Sequence, residues 1–268
     1  MTGRLQATFE RLQRERRTGF VAFVTTGFPS IDATLEAVPA LVEGGADVIE
    51  LGVPFSDPIG EGPTIQRASF AALQNGVTPS VCLDVLRRLR AGGLKVPVIL
   101  MGYYNSILAY GVEDYCRDAA AAGADGFIVV DLPPEESGPL QDASRKHGLS
   151  IIYLLAPTST DERIQQVAGL ASGFIYCLSI AGVTGVRDDL PENLPAFVER
   201  VRKSSGLPIA VGFGISQPKH FQAVGRFADA AVVGSAIVEL MDRAGPSNLR
   251  EKVREYAEVV TGRRRATA

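Results

Sequence analysis

Eight short apolar, largely β-branched runs recur along the chain, and helical spacing separates many of them. This alternation limits the fold more than any other feature. The runs are FVAFVTT (20–26), DVIELGV (47–53), PVILMGY (97–103), GFIVVDL (126–132), SIIYLLA (150–156), FIYCLSI (174–180), PIAVGFG (208–214) and DAAVVGS (229–235). They are continuous rather than alternating, the mark of strands covered on both faces. Segments such as SIDATLEAVPALVEGG, TPSVCLDVLRRLRAGG and DERIQQVAGLA space their apolar residues at helical intervals. Several start at Ser, Thr or Asp and end near Gly. Eight β/α units without a long polar linker predict a parallel sheet with helical crossovers, closed into a (β/α)8 TIM barrel. An open dinucleotide-binding sheet fits less well, because no G-x-G-x-x-G follows the first run. A phrase repeated in GGADVIELG and AGADGFIVVD, and echoed in FADAAVVGS, suits a barrel of similar units.

A length of 268 residues matches one such barrel, so a single domain is expected over 1–268. The N-terminal segment 1–17 is charged throughout, reads as an amphipathic helix and is no signal peptide. The basic end GRRRATA (262–268) reads as a frayed, solvated tail. A net charge of −3 gives no electrostatic case for nucleic acid. The most apolar region, VPVILMGYYNSILAYGV, is broken by Gly102, Asn105 and Ser106 and is short for a membrane span. Cys82, Cys116 and Cys177 are scattered without metal or redox spacing, and His147 and His220 are the only histidines. No metal site is expected, and the cytoplasm is the expected compartment.

Barrel chemistry gathers where the strands end. There Glu50 leaves the second run, and Glu61 hangs on the Gly/Pro-rich loop that follows, within ELGVPFSDPIGEGPTIQ. Two acids aimed at one rim suit proton transfer, and an apolar setting would raise the pKa of Glu50. Two plainer roles stay open at this stage: a solvated loop acid for Glu61, and a buried acid bonded to backbone for Glu50. Three Gly-rich loops follow runs six, seven and eight: SIAGVTG (179–185), VGFGIS (211–216) and VVGSAIVEL (232–240). Singly each glycine makes a tight turn, but in succession they point to phosphate held by backbone N–H groups and a helix start. Phe23, Met101, Tyr103, Ile128, Leu154 and Tyr176 collect at strand ends, where core packing and an aromatic pocket are both open readings. Asp131 ends the fourth run and is expected to cap the following turn or orient a loop.

ELGVPFSDPIGEGPTIQ, DLPPEES, GVTG, VGFGIS and VVGSAIV, in that order, resemble the tryptophan synthase alpha chain family from about Arg16 to Ala257. The resemblance implies a lyase that cleaves indole-3-glycerol phosphate to indole and glyceraldehyde 3-phosphate. It implies no cofactor in this chain. The partner would be a pyridoxal-phosphate beta subunit in an α2β2 tetramer, which joins the indole to serine. By the same resemblance Glu50 is the proton-transfer acid/base, and Glu61 holds the indole N–H where the family usually has Asp. Thr184, Gly185, Phe213, Gly214, Gly234 and Ser235 fall at the phosphate side and its closing loop. Phe23, Met101, Tyr103, Ile128, Leu154 and Tyr176 fall at the indole pocket, and Pro54, Asp57 and Asp131 at the partner surface. Gly60 stands where the family often has Ala, and is expected to give the loop freedom to draw the longer Glu61 back. A stand-alone lyase and a non-catalytic regulatory subunit are the alternatives.

Overall fold

A computed structural model describes residues 3–179, 190–212 and 214–264. Its strands are β1 (Gly19–Thr25), β2 (Val48–Gly52), β3 (Val98–Gly102), β4 (Gly126–Val129), β5 (Ser150–Ile152), β6 (Leu154–Leu155), β7 (Ile175–Leu178), β8 (Ile209–Gly212) and β9 (Ala230–Val233). The first helices are α1 (Arg4–Glu15), α2 (Ile31–Gly44), α3 (Pro63–Gln74), α4 (Pro79–Ala91), α5 (Tyr104–Tyr110) and α6 (Val112–Ala122). They continue as α7 (Gly138–Lys146), α8 (Asp161–Leu170), α9 (Leu194–Ser204), α10 (Pro218–Val224), α11 (Ser235–Ala244) and α12 (Leu249–Val260).

All strand pairings are parallel, in the order β5-β4-β3-β2-β1-β9-β8-β7-β6. β5 and β6 are consecutive pieces of one stave, so the sheet closes into the expected (β/α)8 barrel. The split falls at Tyr153, whose side chain leaves the sheet: its hydroxyl donates to Ser137 Oγ at 2.6 Å and accepts from Gln141 Nε2 at 2.7 Å. The Tyr153 carbonyl still accepts from Tyr176 N at 3.0 Å, so the stave bends without leaving the barrel wall. Helix starts follow side-chain chemistry: Ser30, Thr78 and Thr160 each accept a hydrogen bond from the backbone three residues on.

The repeated aspartates hold the other end of the barrel. Asp47, Asp125 and Asp229 each donate their N–H to the stave alongside, at Phe20, Val98 and Ile209. Each carboxylate accepts back from those same residues' N–H groups at 2.8–3.0 Å. Arginines cover them: Arg11 and Arg17 on Asp47, Arg4 and Arg90 on Asp125, Arg202 on Asp229. α1 thus lies across the strand starts, beside a groove of about 970 Å³ that is remote from the strand ends. The last helix, α12, closes on α2 so tightly that a side chain on Gly44 would run into Ala257 and the carbonyl of Arg254. Beyond α12, Arg263 lies against Gly45 and Arg264 pairs with Glu255, so the stretch expected to fray begins docked.

Candidate active site

Glu50 is the third residue of β2, level with Phe23 of β1 and Ile99 of β3, and its side chain is buried. Neither carboxylate oxygen has a hydrogen-bond partner among the described residues. That rules out the plainer role of an acid tied to backbone by those residues. Burial pushes the carboxyl up to about 8, and the charge of Glu61 adds to the effect. A group with that affinity is a proton donor near neutrality and a base once it has given its proton.

Glu61 is buried as well, only 6% exposed, so it is no solvated loop acid. Burial raises its carboxyl to about 7. Loop two, between β2 and α3, is shaped by short local bonds: Glu61 N donates to Pro58 O at 3.0 Å, and Gln66 Nε2 donates to Glu61 O at 2.9 Å. From the neighbouring stave, the Tyr103 hydroxyl accepts from Gly60 N at 3.1 Å, and its ring stacks on Phe55 at 4.8 Å between centroids. Burial and the nearby Glu61 raise the Tyr103 phenol to about 12, which keeps it neutral.

Gly60 corrects the expectation of a loosened loop. A Cβ there would sit 2.6 Å from Val130 Cγ1 and 3.3 Å from the Tyr103 hydroxyl. The missing side chain therefore permits a close approach: it lets loop two press against the end of β4 with Glu61 turned inward.

The predicted pocket residues line the same mouth. Met101 is level with Ile128, and Leu154 with Tyr176. Phe23, Met101, Tyr103, Ile128 and Tyr176 are buried, and Leu154 is half-buried. Two rings lie over glycines of the adjacent stave: the Phe23 ring over Gly52, and the Tyr176 hydroxyl over Gly212, where any Cβ would collide. Burial first, then the charges of Glu50 and Glu61, hold the Tyr176 phenol far above its usual range.

Farther round the rim, past β1, Gly214 turns the chain with φ +83° after β8, and Gly234 precedes α11, which begins at Ser235. The first turn of α11 carries no acid and no side-chain cap; Ile237 N donates to Gly234 O at 2.8 Å, and the positive dipole end suits an anion. Thr184, Gly185 and Phe213 lie outside the described residues. Asp131 is exposed and accepts from Tyr104 N at 2.8 Å, so it caps α5 of the preceding unit rather than the turn that follows it. Asp57 is exposed, whereas Pro54, at the start of loop two, is buried. Ile59, inside the quoted loop-two motif but given no role there, and Leu108 of α5 stand 83% and 54% exposed.

The sequence model of the family described as "Tryptophan synthase alpha chain" matches residues 9–267. The "Tryptophan synthase alpha chain" of Dehalococcoides mccartyi is 52% identical over 85% of this chain and 89% of its own length. That of Roseiflexus sp. is 47% identical over 97% and 99%. The crystal structure of tryptophan synthase subunit alpha from Legionella pneumophila superposes with a TM-score of 0.90 at 36% identity, covering 98% of each chain. A closed barrel with two buried acids and an uncapped helix start at one rim thus coincides with full-length similarity in sequence and shape, and the chain belongs to the tryptophan synthase alpha chain family.

Proposed function

We propose that the chain cleaves indole-3-glycerol phosphate to indole and glyceraldehyde 3-phosphate, with Glu50 moving the protons and Glu61 steadying the charge. The observation that carries this reading is the pair of buried acids, Glu50 without a bonding partner among the described residues, at the same rim as the start of α11, with only β1 between their staves.

Glu50 in its acid form delivers a proton to C3 of the indole ring, giving an indolenine cation. Glu61, ionised, accepts the ring N–H and stabilises that cation. Glu50, now a carboxylate, takes the proton of the glycerol hydroxyl next to the ring. That oxygen's electrons form the aldehyde as the C3–glycerol bond breaks, and the bond's electron pair returns to the ring to restore the aromatic indole. Protons balance and Glu50 ends as it began, so the chemistry calls on no cofactor. The apolar walls from Phe23, Met101, Ile128, Leu154 and Tyr176 fit a flat ring, and the Gly214 and Gly234–Ser235 backbone takes the phosphate. Thr184, Gly185 and Phe213 are assigned to the same phosphate side and its closing loop.

The partner is a beta subunit that carries pyridoxal phosphate and joins the released indole to serine, two of each chain making an α2β2 tetramer. Ile59 and Leu108, large apolar side chains left in water beside Asp57 and Asp131, support a partner seated over the mouth. Free, buried Cys82, Cys116 and Cys177 suit a reducing cytoplasm.

Indole release by the purified chain, alone and with a beta subunit, tests the whole reading. Glu50→Gln is expected to abolish release while phosphate binding persists, and added beta subunit is expected to accelerate the unaltered chain. A fully active Glu50→Gln variant would sink the assignment. Unchanged turnover with beta subunit would favour a stand-alone lyase, and ligand binding without any indole would favour a regulatory subunit.

A further inference from the structure

The loop after β8 is held from outside by side chains of two helices, and one of them belongs to the last helix of the chain. Past the turn at Gly214, both backbone groups of Ser216 are engaged. Its N–H donates to His220 Nδ1 of α10 at 3.4 Å, and its carbonyl accepts from the Tyr256 hydroxyl of α12 at 2.9 Å. The second bond is the shorter, and it spans 40 residues of sequence. Burial raises the Tyr256 phenol far above its ordinary range, so it is an O–H donor throughout the working pH range.

The donor also sits on a fixed base. Leu249, Val253, Ala257 and Val260 form the buried face of α12, and Ala257 meets the bare backbone of Gly44 on α2. A Tyr on a helix docked that closely has little freedom to follow a wandering loop. The restraint therefore acts on the loop.

We infer that Tyr256 is a positioning residue for the anion grip: by pinning the Ser216 carbonyl it keeps the backbone N–H groups beginning at Gly214 aimed into the barrel mouth. This rests on the reading that the β8 and β9 loops hold the substrate's phosphate. A donor that is already in place binds an anion without first losing conformational freedom. Removing one neutral hydrogen bond of this kind weakens the affected equilibrium about two- to tenfold.

The test uses the full chain with its beta subunit and the Tyr256→Phe variant, which removes the hydroxyl and keeps the ring. The KM for indole-3-glycerol phosphate and the inhibition constant for inorganic phosphate are expected to rise together, about two- to tenfold, with kcat changed less than about twofold. A purely structural Tyr256 would lower the melting temperature and leave both constants alone, and that result would overturn the inference. So would a fall in kcat with KM and phosphate inhibition unchanged. If phosphate fails to inhibit even the unaltered protein, the phosphate assignment itself falls, which is a distinct result from an unaltered protein that phosphate inhibits and a variant that it inhibits equally.

Discussion

The Thr64 hydroxyl donates to a carboxylate oxygen of Glu239 at 2.9 Å, tying the first turn of α3 to α11 across 175 residues of sequence. The bond joins the two halves of the site from outside, since Glu61 lies three residues before Thr64 and Ser235 one helical turn before Glu239. α3 has reason to accept an anion there. Its N-cap is Gly62, with no side-chain cap, and its first turn carries no acid. Glu239 supplies from another helix the negative charge that a capping residue would have brought.

Breaking that link is expected to disturb Glu61 more than the anion grip. Thr64→Val and Glu239→Ala should each lower kcat roughly two- to tenfold, less than the full worth of one hydrogen bond to a charged group because the bond acts on Glu61 only through α3. Glu239→Gln, which keeps an acceptor, should lose less. Steady-state kinetics on the two single variants and their combination give the check: a double variant no worse than either single one shows that the bond itself is responsible. Fully additive losses would refute it.

Gly60→Ala should damage turnover through Val130. The new methyl would sit 2.6 Å from Val130 Cγ1, so the loop or the valine must move. A displacement near 1 Å at the loop acid costs on the order of 10²-fold in rate. Trimming the obstacle in a Gly60→Ala/Val130→Ala variant should return much of it. Turnover of the two variants, compared with Val130→Ala alone, decides the matter.

The two acids set the expected pH–rate curve. In the proposed roles Glu61 is ionised to steady the cation and Glu50 protonated to start the reaction, and burial raises their carboxyls to about 7 and about 8. Turnover should therefore rise through the first value and fall through the second, giving a narrow bell whose limbs belong to the pair jointly. Glu61→Gln should flatten the acid limb along with most of the rate. A profile flat between pH 6 and about 9 would contradict the roles.

Stability should move the other way from charge on Glu50. The folded chain keeps that proton up to about pH 8, against about 4.5 when unfolded. Across this window the folded state holds more protons, so the contribution is full below the unfolded value and is lost as pH rises through the folded one. Glu50→Gln removes the charge and should melt at least roughly 2–4 °C higher than the unaltered chain at pH 9, with the gap closing towards pH 5. Thermal melts at the two pH values test it. A variant equally stable at both would rule out a buried charge at this position.

The sequence already carried the alternation of apolar runs and helical spacing, and with it the barrel. Glu50 was visible because an acid inside an apolar run needs a reason. The break in the fifth stave was not visible: Tyr suits a strand, and only the distant Ser137 and Gln141 draw Tyr153 out of it. The aspartate repeat could be seen as a repeat, but its use depends on neighbouring staves and on arginines elsewhere. Thr64 with Glu239, and Tyr256 with Ser216, left no local trace, because each pair meets only after the barrel has closed. Gln66 stood inside a quoted motif, yet its hold on the Glu61 carbonyl depends on how loop two turns. Gly60 was read with the wrong sense, since the sequence shows a missing side chain without showing what stands where it would be.

Asp47 has a consequence that reaches the opposite end of the molecule. Burial works against its charge, but Arg17, the Phe20 amide and Arg11 outweigh that and hold the carboxyl below its usual value. It therefore supports the fold above about pH 3.8 and stops doing so as acid protonates it. The floor of the barrel favours alkali while its mouth favours acid. The chain should be sturdiest in mildly acidic solution and fastest in neutral to slightly alkaline solution, so the conditions that preserve it longest in storage are not those under which it works best.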